Sequence, residues 1–194
     1  WREGPFAALG IAIPAEQAAP LLSLHDLAMA REAAAARSHP CWTVMAAFAE
    51  PLVGVPSVLR DAGPIAWAAR NSSKPGRIGA ECWVIQAGAE WSAQNLECER
   101  EDVAGRLLAL FAAQARIAPP AATFLKAHRW RFALSYGESG RAQWNGDLNL
   151  GACGDWCMAG CIEGAWRSGT ELARQVAASL DRAAPARQRF SRTG

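Results

Sequence analysis

The chain has 194 residues, 51% of them hydrophobic and 20% charged, with a net charge of +2. That suits a globular protein of one domain or two small ones and gives no electrostatic commitment to nucleic acid. No apolar run approaches the roughly 20 residues that cross a bilayer, and no signal peptide is visible, so the six cysteines are expected to be reduced cytoplasmic thiols.

Phe6 to Ile13 is apolar and stops at Pro14, the pattern of a buried strand. Ala15 to Leu22 and Asp26 to Ala36 read as helices, the second opened by an aspartate and rich in good helix formers. Ser38-His39-Pro40 is expected to break it. Cys41 to Phe48 reads as a strand with Trp42, Val44 and Phe48 on alternate positions, and Pro51 to Pro64 as a loop. Ile65 to Arg70 and Glu81 to Gly88 predict a hairpin joined by the polar turn 71–79. Glu99 to Arg116 is an amphipathic helix carrying Val103, Leu107, Leu108, Leu110 and Phe111, and Pro119-Pro120 ends the connection after it. A strand over Ala127 to Leu134 and a polar loop over Gly137 to Gly146 follow.

The chain then reads as a short strand from Leu150, a Gly-Asp turn, a glycine-rich loop and a long helix. Ile162, Ala165, Trp166, Gly169, Leu172, Ala173, Val176, Ala177 and Leu180 recur with the helical period and predict a buried stripe. Residues 182–194 form a basic tail. The strands cluster between 41 and 134 without a βαβ rhythm, so the expected fold is α+β: an antiparallel sheet with helices on one side, flanked at both ends by pieces of another domain. Nine tryptophans against one tyrosine suggest flat apolar surfaces or an aromatic-lined pocket, with most of the indoles in the core.

A glycine loop feeding a helix leaves unpaired N–H groups and the positive end of the dipole facing whatever the loop holds, a site for an anion or an electron-rich ring. Asp155 in the turn can accept hydrogen bonds from ligand hydroxyls, or can simply shape the turn. Cys153, Cys157 and Cys161 are spaced C-x3-C-x3-C, without the paired C-x2-C of common zinc sites, so small-residue packing is expected and no metal. No Ser-His-Asp or Cys-His arrangement has supporting context. A G-x-G-x-x-G string is absent, and the nearest pair, Gly76 and Gly79, lies in a polar turn with no helix after it.

The run Gly151-Ala152-Cys153-Gly154-Asp155-Trp156 through Gly160-Cys161-Ile162-Glu163-Gly164-Ala165 to Ala173 resembles the C-terminal flavin-binding motif of renalase-like proteins in the flavin-containing amine oxidase superfamily. Three further segments agree in order: Gly4 to Ala19, Trp67 to Arg77, and Ala127 to Phe132. The resemblance implies an α/β FAD-domain remnant in 1–25 and 148–182, an antiparallel-sheet substrate domain in 26–147, and a basic tail in 183–194. It implies FAD as cofactor, bound through Gly154, Asp155, Trp156, Gly160, Ile162, Glu163 and Ala165, with the Ile162 and Glu163 N–H groups on the flavin N1/C2=O edge. The Glu163 carboxylate can equally complement the helix dipole.

Asn71, Lys74, His128 and Trp130 fall at strand ends or turns of the implied substrate domain, where ligand contacts tend to occur. His128 reads equally as a hydrogen-bonded structural residue, and Trp130 as core or as a substrate platform. Two positions depart from the family. Cys161 stands where amine oxidases place an aromatic residue and bacterial renalase-like proteins often an Arg, so it joins Asn71, His128 and Trp130 as a candidate catalytic-site residue. Thr43 stands where amine oxidases carry a Lys. The implied reaction is hydride transfer from a dihydronicotinamide-type substrate to flavin N5, with O2 taking the electrons to give H2O2. The alternatives are an amine oxidase of a small or aromatic amine, and a truncated remnant unable to hold FAD. The expected partners are a small-molecule substrate, O2 and a missing N-terminal part of the same protein that grips the ADP half, with no nucleic acid and no membrane.

Overall fold

Pro14 sets the geometry of the first elements. Strand β1 (Leu9–Ile11) stops before it, and Pro14, held extended, stands at the N-cap of helix α1 (Ala15–Ser23), where its carbonyl accepts from the N–H groups of Gln17 and Ala18 at 2.9 Å. Helix α2 (Leu27–Ala35) starts as its aspartate predicts: Asp26 Oδ1 accepts from Ala28 N–H at 2.9 Å and Met29 N–H at 3.0 Å, pairing two donors that a helix start otherwise leaves open. The computed structural model describes residues 4–77, 79–118, 121–137 and 139–183, with backbone alone at 61, 62 and 183. The Pro119-Pro120 connection and the tail beyond 183 lie outside the described residues.

The chain divides into two compact units, 1–37 with 135–194 and 38–134; the sequence reading drew its limits at 25/26 and 147/148. In the first unit, β8 (Leu150–Ala152) pairs parallel with β1, Leu9 opposite Leu150, and antiparallel with β7 (Gln143–Asn145), giving the order β1-β8-β7. Leu150, Ala152 and the buried Trp156 share a core with Ala15, Ala18 and Leu22 of α1 and Met29, Ala30 and Ala33 of α2. Alanines on both helices let them approach closely. Helix α5 (Ile162–Ala183) follows a 3-10 turn over Asp155–Cys157. It lays Leu172 against Gly151, whose missing side chain makes room for the Leu172 methyls.

The second unit is built on β2 (Arg37–Phe48), β3 (Val58–Ala62), β4 (Ile65–Arg70), β5 (Glu81–Ala87) and β6 (Ala122–Tyr136), in the order β3-β4-β5-β2-β6. β4 and β5 form the predicted antiparallel hairpin, and β2 is antiparallel to β5. Two helices, α3 (Ala89–Gln94) and α4 (Arg100–Ala115), lie between β5 and β6 in sequence. One sheet face carries Trp42, Val44, Ala46 and Phe48 from β2 and Trp83 and Ile85 from β5. Val103, Leu107, Leu108 and Phe111 of α4 close over it, and the Trp83 and Phe111 rings meet at 5.0 Å. Each such ring or branched chain contributes about 1.5–3 kcal/mol by leaving water. The architecture is α+β.

Several expectations need correction. Strand β3 runs through what reads as a loop between Pro51 and Pro64, and β7 through the polar loop 137–146. Ser38-His39-Pro40 does not stand as a break; α2 stops at Ala35 and those residues are already in β2. The α5 stripe is buried only at Leu172, with Val176 half-buried beside it, while Ile162 is 90% exposed, Trp166 65% and Leu180 39%. The face that packs is Gly164, Ser168 and Leu172. Ser168 explains the choice, since its Oγ accepts from Gly154 N–H at 3.0 Å and is 2.7 Å from Gly154 O and 3.0 Å from Ala165 O, binding the helix to the loop.

Candidate functional site

The loop from Gly154 to Cys161 is set by close backbone approaches. A side chain at Gly160 would strike the Ser135 carbonyl, and one at Gly154 would strike the Trp156 indole. Trp156 itself is buried, its Nε1–H donating to Ile13 O at 3.0 Å, so its indole is committed to the core rather than held out to a ligand. Asp155 is half-buried and uses Oδ1 locally, accepting from Trp156 N–H at 2.9 Å.

Cys161 is the N-cap of α5. Its carbonyl accepts from Ala165 N–H at 3.1 Å and its Sγ from Gly164 N–H at 3.4 Å. That corrects the packing role expected of it: the thiol is exposed and substitutes for the usual hydroxyl or carboxylate cap. Between the cap and Gly164 lie Ile162 and Glu163, whose N–H groups find no acceptor among the described residues. The side chains of Ile162, Glu163 and Ala165 are all exposed, so two unpaired amides at the positive end of a 22-residue helix are open to a ligand.

Beside this loop is a cleft of about 610 Å³, lined among others by Glu32, Arg37, Tyr136, Ser139, Trp156 and Gly160. Glu32 Oε1 is buried with no hydrogen-bond partner among the described residues, while Oε2 lies 3.5 Å from Arg141 Nη2. The sequence reading missed Glu32, Arg37, Tyr136 and Ser139. On a helix, Glu32 looks like any solvated carboxylate, and nothing in the string brings it toward a loop more than a hundred residues away.

Cys157 is buried, and its thiol is pushed up to about 12, first by burial and then by the neighbouring Cys153 and Glu32. Burial raises Cys153 as well, so these two are packing residues and poor nucleophiles. No group of three or more His, Cys, Asp or Glu side chains able to hold a metal occurs among the described residues, and none of their helices is long and apolar enough to cross a membrane.

In the second unit the structure brings His128 and Trp130 together, their rings edge to face at 4.4 Å and both exposed on β6. Asn71 is not with them. It starts the 3-10 turn after β4, where its Oδ1 accepts from Arg77 Nη1 at 3.3 Å. Strands β5 and β2 intervene, so three strand spacings, about 14 Å, separate it from β6. Lys74 is exposed just beyond that turn. Thr43 is buried on β2, its Oγ1 3.7 Å from Cys41 Sγ.

No family model matches the chain. Among solved structures it is similar to cyclohexylamine oxidase from Brevibacterium oxydans, at TM-score 0.64 and 15% identity, over 90% of this chain and 43% of that one. A putative protoporphyrinogen oxidase from an Exiguobacterium species gives TM-score 0.64 and 13% identity, over 90% and 41%. A cofactor-site redesign of putrescine oxidase gives TM-score 0.63 and 12% identity, over 91% and 43%. At such identities the likeness is one of fold. The chain spans about two fifths of the length of each.

Proposed function

We propose that this chain is the C-terminal portion of a renalase-like FAD-dependent oxidoreductase, and that the start of α5 and its adjoining loop hold the isoalloxazine end of the cofactor. The observation that carries the reading is the pair of N–H groups at Ile162 and Glu163 without acceptors, at the mouth of a glycine-built loop beside the cleft. Two adjacent donors at a positive helix end suit the N1/C2=O edge of a flavin, where charge collects on reduction. Asp155 has carboxylate capacity left for a ribitol hydroxyl. When bound, FAD supplies hydride acceptance at N5 and reoxidation by O2 to H2O2. This chain's part is to orient the ring, stabilise charge at its pyrimidine edge without reorganising, and exclude water.

The dihydronicotinamide reading is favoured over amine oxidation by Thr43, which supplies no basic side chain where amine oxidases of the resembled superfamily carry a Lys. The fold likeness to two amine oxidases keeps amine oxidation as the second reading. Either activity belongs to a longer protein, in which an N-terminal part grips the ADP half. The exposed edge of β1 and the exposed apolar stripe of α5 suit burial by that part.

The test is Ile162→Pro in the protein made from its complete reading frame. Proline is tolerated at the first helical position and deletes only that N–H. The expected result is a folded protein whose flavin absorbance survives but whose reduction rate falls about 100-fold, while Asp155→Ala lowers flavin content. A colourless wild-type protein, or an Ile162→Pro variant with unchanged reduction, refutes the assignment.

A further inference from the structure

Strand β6 is the longest described strand and the outermost of its sheet. Among the described residues no strand pairs with its far edge, so over 122–134 the backbone offers a row of N–H and C=O groups to another strand. Natural edges are blunted by brevity, proline or a bulge, whereas β6 runs for 15 residues without a proline. Such a strand takes a partner, and its own side chains say which.

Leu125 and Ala127 pack against the core that α4 closes, and the Arg129 guanidinium lies 5.6 Å over the Trp42 ring on the same side. The alternate residues therefore form the second face. Phe124, Lys126, His128, Trp130 and Leu134 on it are exposed, and Phe132 is half-buried. Phe124, Trp130 and Leu134 keep 45%, 52% and 42% of their surface in water, more apolar surface in one row than a finished edge leaves open.

We propose that this edge pairs antiparallel with β6 of a second copy of the chain, about a two-fold axis at His128. With like faces together the axis passes through a residue, and charge selects which one. An axis at Arg129 sets that cation against itself, and one at Lys126 does the same to the lysine. At Ala127 it sets Lys126 against His128, and at Trp130 it sets Arg129 against Arg131. At His128 every Lys and Arg meets an uncharged side chain: Lys126 lies opposite Trp130 of the second copy, Arg129 opposite Ala127 and Arg131 opposite Leu125. Phe124 falls opposite Phe132, and only the two imidazoles face each other. Each pair occurs twice by symmetry, so two cation–ring and two aromatic couples flank the axis. Within one copy Lys126 Nζ already lies 5.8 Å over the Phe124 ring, and the His128 and Trp130 rings meet at 4.4 Å. Arg129 and Arg131 keep their own Glu97 at 3.2 and 2.7 Å. The proposal goes beyond the flavin reading and needs no flavin.

Sedimentation equilibrium tests it. At about 100 μM, a concentration suited to a small interface, the chain is expected to show twice its mass of 20.7 kDa. Trp130→Ala removes two couples and should weaken dimerisation at least about tenfold, and Trp130→Phe should recover part of the loss. Trp166→Glu on α5 should leave it unchanged. Under mild oxidation by oxidised glutathione, His128→Cys should crosslink to its own copy, because opposed Cα atoms of an antiparallel pair lie about 4.5–5.5 Å apart. Lys126→Cys and Trp130→Cys chains should crosslink when mixed and stay at background when alone. The unsubstituted chain, with its exposed Cys161, sets that background, and circular dichroism confirms that the variants fold.

A monomer at that concentration, a dimer that survives Trp130→Ala but not Trp166→Glu, or Lys126→Cys chains that crosslink as well alone as mixed overturns the proposal. So does a monomeric protein made from the complete reading frame, since its N-terminal part then occupies the edge. A dimer paired through β6 that takes up no FAD removes the flavin reading alone. A yellow monomer removes this one alone.

Discussion

Asp26 does two jobs with one carboxylate. Oδ1 caps α2, and Oδ2 accepts from Asn145 Nδ2 at 2.8 Å, joining the helix to the end of β7. Those bonds, that to Asn145 first, hold the carboxyl below its ordinary value of 3.8. A depressed folded-state value means that the stabilisation is complete above pH 3.8 and drains away as pH falls through the lower folded value. Asp26→Asn should therefore melt below the wild type at pH 7, and the gap should close as acid is added below pH 3.8. Thermal melts across that range check it. Glu81 is a second buried organiser. Oε1 accepts from Trp83 Nε1 at 2.8 Å and Leu52 N–H at 3.2 Å and pairs with Arg70 Nε at 3.1 Å, while Arg70 also donates to the Leu52 and Val55 carbonyls. Glu81→Ala strands these donors and should cost about 2–4 kcal/mol in a urea melt; a loss below 0.5 kcal/mol would contradict it.

Among the elements, α5 shows where periodicity stops being informative. Its apolar repeat does mark one side of the helix, but a repeat gives no sign of what lies opposite. Here the packed face takes only Leu172 from that repeat, because Gly164 and Ser168 sit flush against the 154–161 loop. Leu172→Ala is expected to cost about 2–4 kcal/mol, whereas Trp166→Glu on the exposed side should change chain stability by less than about 0.5 kcal/mol. Paired denaturant melts compare the two positions, and the reverse order would put Trp166 rather than Leu172 on the buried side. Elements with their own chemistry were legible: α2 through Asp26, β2 and β5 through alternating bulk, α4 through its apolar period. β3 and β7 were not, since five and three residues amid glycine, proline and polar neighbours carry no period to read. At the candidate site, the helix start and the two open amides could be anticipated from Gly160 to Ala165. The Cys161 cap could not, because a thiol is a weak acceptor and no propensity announces it.

Over the whole molecule, each unit owns its core: the cluster around Trp42, Trp83 and Phe111 lies wholly within 38–134, and those around Trp156 and Leu172 within the remainder. A fragment of residues 38–134 should hence fold alone, with far-ultraviolet circular dichroism of a mixed sheet and helix and a cooperative thermal transition. A broad, baseline-like melt would refute that. The other unit cannot be excised in one piece, because β1 takes β8 as its partner, Leu9 against Leu150. During synthesis β1 therefore leaves the ribosome well before β8 and must wait until the intervening residues have followed. If the inserted unit condenses early, it shortens the tether that has to close and lowers the entropic cost of bringing β1 to β8. Nascent β1, with half-exposed Leu9, passes that interval as an unpaired edge, the stage at which a chaperone has most to protect.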